Sequence, residues 1–257
     1  MNALAGRPQL LQLFQAERVK LRKSWPLLTA ILAPICLAGF LGVMVWFSGT
    51  RMHAFRPGFR FWLEVNYVAW NLILMPITAA LIGDLSWQQE RDARAWNLLL
   101  LQPQSRHAHY LVKVFSHLAL LLLAEVLLAV LLTAGGYLLR INPQLEMGPL
   151  PLAILLRFAA YSALATVAVA AFQTWLSMRI PGLWVALAAA LLGSWMVAHG
   201  PSPLLQLLPW GLSGQMGLVF ERWRVLPWPH VPGNLLAAAA LVAVGALDFV
   251  RHPGIRT

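Results

Sequence analysis

The sequence has few charged residues and one cysteine. Only 11% of its 257 residues are Asp, Glu, Lys or Arg, whereas a soluble domain carries about 25%. This is too little charge to cover a water-soluble globule of this size. The lone Cys36 excludes an intrachain disulfide and a multi-cysteine metal site. No G-x-x-x-x-G-K-[ST] or H-E-x-x-H motif occurs, which excludes a P-loop ATPase and that type of zinc protease.

The sequence is rich in hydrophobic residues, which make up 60% of it and are gathered in long stretches. Stretches of about 20 apolar residues predict helices that cross a bilayer. We therefore expect an all-α integral membrane protein with six transmembrane helices, forming a single transmembrane domain over residues 1–257. The predicted spans are 25–48, 66–86, 111–139, 151–178, 181–199 and 233–250.

The distribution of Lys and Arg predicts the orientation of these spans. Twelve basic residues fall on one side and six on the other when the N-terminus is placed inside, and cytoplasmic loops carry the basic excess. Both termini are therefore expected in the cytoplasm, with the protein in a bacterial cytoplasmic (inner) membrane. The net charge of +10 is dispersed among loops, which favours anionic lipid and not nucleic acid as the partner.

The N-terminal segment, residues 1–24, is expected to form an interfacial elbow helix. Apolar residues recur in it at helical intervals, while Glu17, Lys20 and Lys23 lie on its polar side. This pattern is typical of a helix that lies along the inner membrane surface. A frayed basic tail is the alternative.

Residues 87–107 form the largest charged interruption between spans. Glu90, Arg94 and Arg106 lie in this loop, and Lys113 follows it, with an apolar helical stretch in between. We interpret it as a cytoplasmic coupling loop that contains a short helix, at a place where an internal partner would push. A headgroup-bound amphipathic helix would show the same residues.

Residues 200–232 combine prolines with tryptophans and are expected to form short helices in the outer interface. The segment contains Gly211, Ser213 and Gly214 as G-x-S-G, which resembles the serine motif of rhomboid intramembrane proteases. That chemistry needs a histidine on a later span, and the last predicted span has none. A glycine-rich interfacial turn explains the same residues.

Glu125 and Arg157 lie deep inside the predicted spans, where charge is costly and often functional. Glu125 is ~18 Å from the inner edge and Arg157 ~21 Å, from a rise of about 1.5 Å per residue. The two could form an ion pair. Alternatively, Arg157 extends outwards while Glu125 is protonated or faces a cavity. His107, His109 and His117 lack a clear fourth ligand for zinc, and we interpret them as facing headgroups.

The whole pattern resembles the permease subunits of type-2 ABC exporters, and among them the lantibiotic-immunity branch of MutE/EpiE-like proteins. Four features carry the resemblance: an A-E-x-x-K-L-x-[KR]-S element, a glutamate after the second span, an apolar run ending in P-x-[ST]-R, and a lysine opening the third span. These features correspond to Ala16, Glu17, Lys20, Leu21, Lys23 and Ser24; to Glu90; to Trp96, Asn97, Leu98, Leu99, Pro103, Ser105 and Arg106; and to Lys113.

The resemblance implies a transport subunit that has no ATPase site of its own. Such a permease pairs with a second permease, identical or different, and with two ABC ATPase subunits that bind ATP and Mg. Its coupling loop docks on the ATPase, and the substrate would be amphiphilic, such as an antimicrobial peptide. Glu90, Arg94 and Arg106 would make polar contacts there, with Trp96 and Leu98 to Leu101 as apolar anchors.

Two other functions remain open from the sequence. An ion-gradient-driven secondary transporter would need several polar groups converging at mid-span, and Glu125 is the acidic residue placed there. A rhomboid-like serine protease would depend on Ser213.

Overall fold

A computed structural model describes residues 9–22, 24–51, 58–92, 105–199, 208–215 and 230–251. These residues are helical throughout apart from turns and short connections, and they contain no strand, which confirms the all-α prediction. We number the longer helices α1 to α8. Their bounds are α1 Gln9–Leu21, α2 Trp25–Arg51, α3 Phe59–Ala69, α4 Met75–Asp92, α5 Arg106–Leu139, α6 Leu152–Arg179, α7 Leu183–His199 and α8 Val231–Arg251.

Five helical stretches are long and apolar enough to cross a membrane: Trp25–Phe47, Phe59–Asp92, Arg106–Leu139, Leu152–Arg179 and Val231–Arg251. The apolar stretch Leu183–Val197 in α7 is shorter. Each predicted span thus has a helix, but two of these helices begin earlier than predicted. The second starts at Phe59 and the third at Arg106, because polar residues continue the helix beyond the apolar run that marked the span.

The second membrane stretch changes its helical winding half-way. Residues Trp70–Leu74 form a π-helical segment between α3 and α4, and the N–H of Met75 donates to the carbonyl of Trp70. Pro76 follows at once. It has no N–H for the carbonyl of Leu72, and its ring would crowd that carbonyl in a regular α-helix. The wider turn relieves this conflict and sets the direction of Trp70 and Asn71.

Helix α5 lies at the centre of the molecule, in contact with α1, α2, α3, α4, α6 and α8. Gly136 lies near the C-terminal end of α5, and a Cβ at this position would overlap the ring of Phe59. One turn earlier, the Trp62 indole donates to the carbonyl of Leu132 at 2.8 Å. The glycine therefore lets α3 approach α5 closely.

The second and third membrane stretches each contain 34 residues. At a rise of 1.5 Å per residue each is ~51 Å long, whereas the hydrocarbon core is only about 30 Å thick. Both therefore extend beyond the core. Glu90 and Lys113 lie on these extensions, at the end of the molecule where α1 packs against α5.

Candidate functional site

Three helices meet in an ion cluster formed by Glu17, Lys20, Glu90 and Lys113. The Nζ of Lys113 donates to Glu17 Oε1 at 2.7 Å and to Glu90 Oε1 at 2.9 Å. Lys20 Nζ lies 3.2 Å from Glu90 Oε1 and 3.5 Å from Glu17 Oε2. Two carboxylates of α1 and α4 are thus joined through one ammonium group of α5.

The ion cluster is electrically balanced, with two acids and two bases. Buried charges are stable when they are paired and hydrogen-bonded. The side chains of Lys113, Glu17 and Glu90 are 6%, 8% and 9% exposed, whereas that of Lys20 is 45% exposed. Lys113 is therefore the buried centre of the cluster, and Lys20 closes it from the solvent side.

Apolar and aromatic contacts hold the three helices in this arrangement. Trp87 lies under Lys113, with Nζ 5.4 Å from its ring centroid, and its indole N–H donates to the carbonyl of Thr174 at 3.0 Å. Leu13 of α1 packs on Ala108 and Val112 of α5. A small cavity of about 140 Å³ remains beside the charges.

Further polar contacts fasten α6 and α8 to the same end of the molecule. Arg91 of α4 pairs with Asp84 at 3.0 Å, and Asp84 is buried. Asp248 of α8 pairs with Arg179 of α6 at 3.2 Å, and it accepts from the Trp175 indole at 3.3 Å. Arg91 also donates to the carbonyl of Ser177 on α6 at 3.2 Å, so the ends of α4, α6 and α8 are linked to one another.

The predicted coupling residues occupy different environments. Glu90 is buried and bonded to Lys113, so it joins helices instead of lying on an open docking surface. Arg106 is half-buried and donates to the carbonyl of Val250. Trp87–Asp92 belongs to α4, and α5 begins at Arg106, so helices cover both ends of the predicted loop 87–107. The predicted residues that lie outside the described residues are Lys23, Arg94, Trp96, Asn97, Leu98 to Leu101 and Pro103.

A comparison with family models decides the class of this chain. The model for the ABC-2 family transporter protein matches residues 13–197. The chain belongs to the ABC-2 transporter family. It is a membrane-spanning permease subunit of an ABC exporter, and the family implies an ABC ATPase as the partner subunit that hydrolyses ATP. No curated protein matches the sequence.

This ABC-2 permease has a second polar cluster in the middle of its spans, around Glu125. The Oε1 atom of Glu125 accepts from Trp70 Nε1 at 2.6 Å, Ser162 Oγ at 2.8 Å and Thr166 Oγ1 at 3.2 Å. Asn71 donates to Ser162 Oγ at 2.9 Å. Arg157 is exposed on α6 and forms no ion pair with Glu125, so of the two sequence alternatives the ion pair is wrong.

His117 also differs from its interpretation as a headgroup-facing residue. It is buried, and its Nδ1 lies 2.6 Å from Thr174 Oγ1. In the part of the chain that the structure describes, no three His, Cys, Asp or Glu side chains are grouped as a metal ion would require.

The partners of Glu125 and His117 were not found from the sequence, although a signal was present. Lys113, His117 and Glu125 are spaced by four and eight residues, which places them along a stripe that turns slowly around α5, since the helix has 3.6 residues per turn. A similar spacing relates the polar residues Ser162, Thr166 and Thr174 on α6. Two helices with matching polar faces are candidates for contact in a membrane, where hydrogen bonds join neighbouring spans.

Residues 208–215 of the outer segment pack into the protein. Trp210 is buried, and its ring lies 4.7 Å from that of Phe172 in an edge-to-face contact. Ser213 is fully buried and donates to the carbonyl of Trp210 at 2.9 Å. This accounts for the G-x-S-G residues as a buried turn, and no histidine among the described residues hydrogen-bonds to Ser213.

Proposed function

We propose that this permease exports an amphiphilic substrate of the antimicrobial-peptide type, as in lantibiotic immunity, and that the ion cluster couples its spans to the ATPase. The observation that carries the coupling is the bonding of Lys113 to both Glu17 and Glu90. Glu90 lies near the start of the predicted coupling loop and Lys113 follows its end, 23 residues further along the chain. A force applied to that loop would reach α4, α5 and α1 through one group of ionic bonds.

The proposed assembly consists of two permease subunits and two ABC ATPases, with ATP and Mg bound by the ATPases. The second permease is either a copy of this chain or a related one. The proposed topology has six crossings and cytoplasmic termini in a bacterial inner membrane. Residues 1–24 lie at the inner surface, 87–107 form the ATPase contact and 200–232 lie on the outer side.

The coupling proposal separates two kinds of residue. Trp96, Leu98 and Arg94 are proposed to hold the ATPase, whereas Glu17, Glu90 and Lys113 are proposed to transmit its movement. Loss of the first group should release the ATPase. Substitution in the second group should leave the complex assembled but lower the amount of substrate transported per ATP hydrolysed.

The test is affinity purification of the tagged permease from its native membranes, with the ATPase identified by mass spectrometry. Trp96→Ala should lose the ATPase. Lys113→Met should keep it, but transport per ATP hydrolysed should fall at least several-fold in proteoliposomes. Arg140→Met, at the opposite end of α5, is the control. The absence of any ATPase from the wild-type preparation, or normal coupling in Lys113→Met, would contradict the proposal.

The substrate class rests on the resemblance to the immunity branch and has its own test. Cells that carry the complete transporter should survive a lantibiotic better than cells that carry the Lys113→Met form. A hydrophilic antibiotic of similar potency serves as the control compound. Equal survival of both strains towards a panel of lantibiotics would remove the immunity role and leave the exporter assignment untouched.

A further inference from the structure

The carboxyl group of Glu125 is hydrogen-bonded on one oxygen only. Three donors converge on Oε1: the Trp70 indole, the Ser162 hydroxyl and the Thr166 hydroxyl. The other oxygen, Oε2, is buried and has no hydrogen-bond partner, and the residue as a whole is 4% exposed. The three donors at Oε1 favour the ionised form of Glu125. The buried Oε2 without a partner disfavours the ionised form.

Each hydroxyl near Glu125 has a second acceptor within reach. Thr166 Oγ1 lies 2.9 Å from the carbonyl of Ser162, and Ser162 Oγ lies 3.2 Å from Asn71 Oδ1. A hydroxyl has one hydrogen to donate, so each must choose between Glu125 and its other acceptor. The two hydroxyl hydrogens therefore have two settings: both can point to Glu125, which suits a carboxylate, or both can turn to their other acceptors.

The groups that face Glu125 bring no compensating charge. Helix α6 presents the hydroxyls of Ser162 and Thr166, and the segment Trp70–Leu74 presents the indole of Trp70. Helix α3 contributes the buried phenol of Tyr67, a neutral group. On α5 itself, the next titratable groups are His117 and Lys113, about 12 Å and 18 Å along the helix. No cation of the described residues pairs with Glu125. A proton would neutralise the buried carboxylate without requiring a cavity for a larger cation.

We propose that Glu125 is a reversible proton-binding site in the middle of the membrane part. The carboxylate takes up one proton from the aqueous phase on Oε2, and the Ser162 and Thr166 hydroxyl hydrogens turn to Asn71 Oδ1 and the Ser162 carbonyl. Release reverses both movements. The heavy atoms keep their positions, so the site changes charge without repacking. This inference does not depend on the ATPase contact or on the substrate.

The site is tested on the full-length permease returned to liposomes and equilibrated from mildly acidic to mildly alkaline buffer. Infrared spectroscopy follows the carbonyl stretch of protonated carboxylic acids. A band that disappears as the pH rises, and that Glu125→Gln lacks at every pH, is the expected result. A Glu125 band that is present at every pH, or never present, would overturn reversible binding.

A pair of threonine variants makes the test independent of whether Glu125→Gln folds. Thr166→Val removes one hydrogen-bond donor to the ionised form, so the band should persist to a higher pH than in Thr133→Val. Thr133→Val is the matched control, because Thr133 donates to the carbonyl four residues earlier and has no bond to Glu125. If the band disappears at the same pH in both variants, the Thr166 hydroxyl does not stabilise the ionised form of Glu125. That result would overturn the two settings of the hydroxyl network.

Discussion

At the scale of single residues, Lys113 determines whether the ends of α1, α4 and α5 stay together. It is the buried cation between two buried acids, and the other base, Lys20, is half in solvent. The four charges are therefore not equivalent. Removing Lys113 leaves two buried carboxylates with the half-exposed Lys20 as their remaining partner in the cluster, whereas removing Lys20 leaves both of them bonded to the buried Lys113.

Lys113→Met should accordingly destabilise the protein by about 3–5 kcal/mol, the usual cost of leaving a buried charge without its partner. Lys20→Met should cost no more than about 1 kcal/mol, as is typical of an exposed ion pair. Thermal unfolding in detergent compares the two variants. Equal losses of stability would show that Lys113 is not the centre of the cluster.

The sequence pointed to Glu17, Lys20, Glu90 and Lys113 one by one, but not to their contact. Glu17 and Lys113 are 96 residues apart, and no local spacing rule relates residues at that distance. Glu90 was accordingly predicted on a docking surface, whereas it lies inside the cluster. The burial of an ionisable residue depends on which helices meet, and the motif alone does not contain that information.

At the scale of elements, the packing of α5 depends on where it lacks side chains. Gly136 faces the Phe59 ring, where a Cβ has no room, whereas a Cβ at Gly39 on α2 would meet nothing within 4 Å. Both residues lie within membrane helices, and both substitutions improve intrinsic helix propensity by a similar amount. They therefore differ in packing alone.

Gly136→Ala should destabilise the protein by about 1–3 kcal/mol through overpacking against Phe59. Gly39→Ala should be neutral or slightly stabilising. The midpoint of thermal unfolding in one detergent reports both. A neutral Gly136→Ala would mean that α3 and α5 separate easily, which would contradict the close contact described above.

The positions of the helices followed from the sequence, because long apolar runs have few alternatives in a membrane protein. The end residues of the helices could not be predicted in the same way. Charged residues such as Glu90 and Arg106 continue a helix beyond the apolar run, and the hydropathy pattern marks only that run. The π-helical segment was not predicted either. Pro76 is visible in the sequence, but several distortions can accommodate a proline, and tertiary packing selects among them.

At the scale of the whole molecule, the question is how many times the chain crosses the membrane. Five stretches are long enough, and α7 is shorter. If α7 also crosses, both ends of the chain lie on one side; if it does not, they lie on opposite sides. The end of α8 therefore distinguishes five crossings from six.

The single native cysteine makes this count accessible to labelling. In a Cys36→Ala background, new cysteines at Arg22, Asp92 and Arg251 should react with a membrane-impermeant thiol reagent only in inside-out vesicles. A cysteine at Gln144 should react only in right-side-out vesicles. Labelling of position 251 from the same side as position 144 would show that α7 does not cross and would replace the six-span topology.

The ion cluster also has a consequence for the growing polypeptide. Glu17 and Glu90 leave the ribosome before Lys113, and until that lysine arrives neither acid has its buried partner. In a nascent chain that ends before α5, the carboxylates of Glu17 and Glu90 lack Lys113 and remain hydrated. Helix α1 also lacks α5, the helix against which it packs. Insertion of the third membrane stretch brings Lys113 to the two acids, so the order of synthesis delays assembly of this end of the molecule until its central helix is in place.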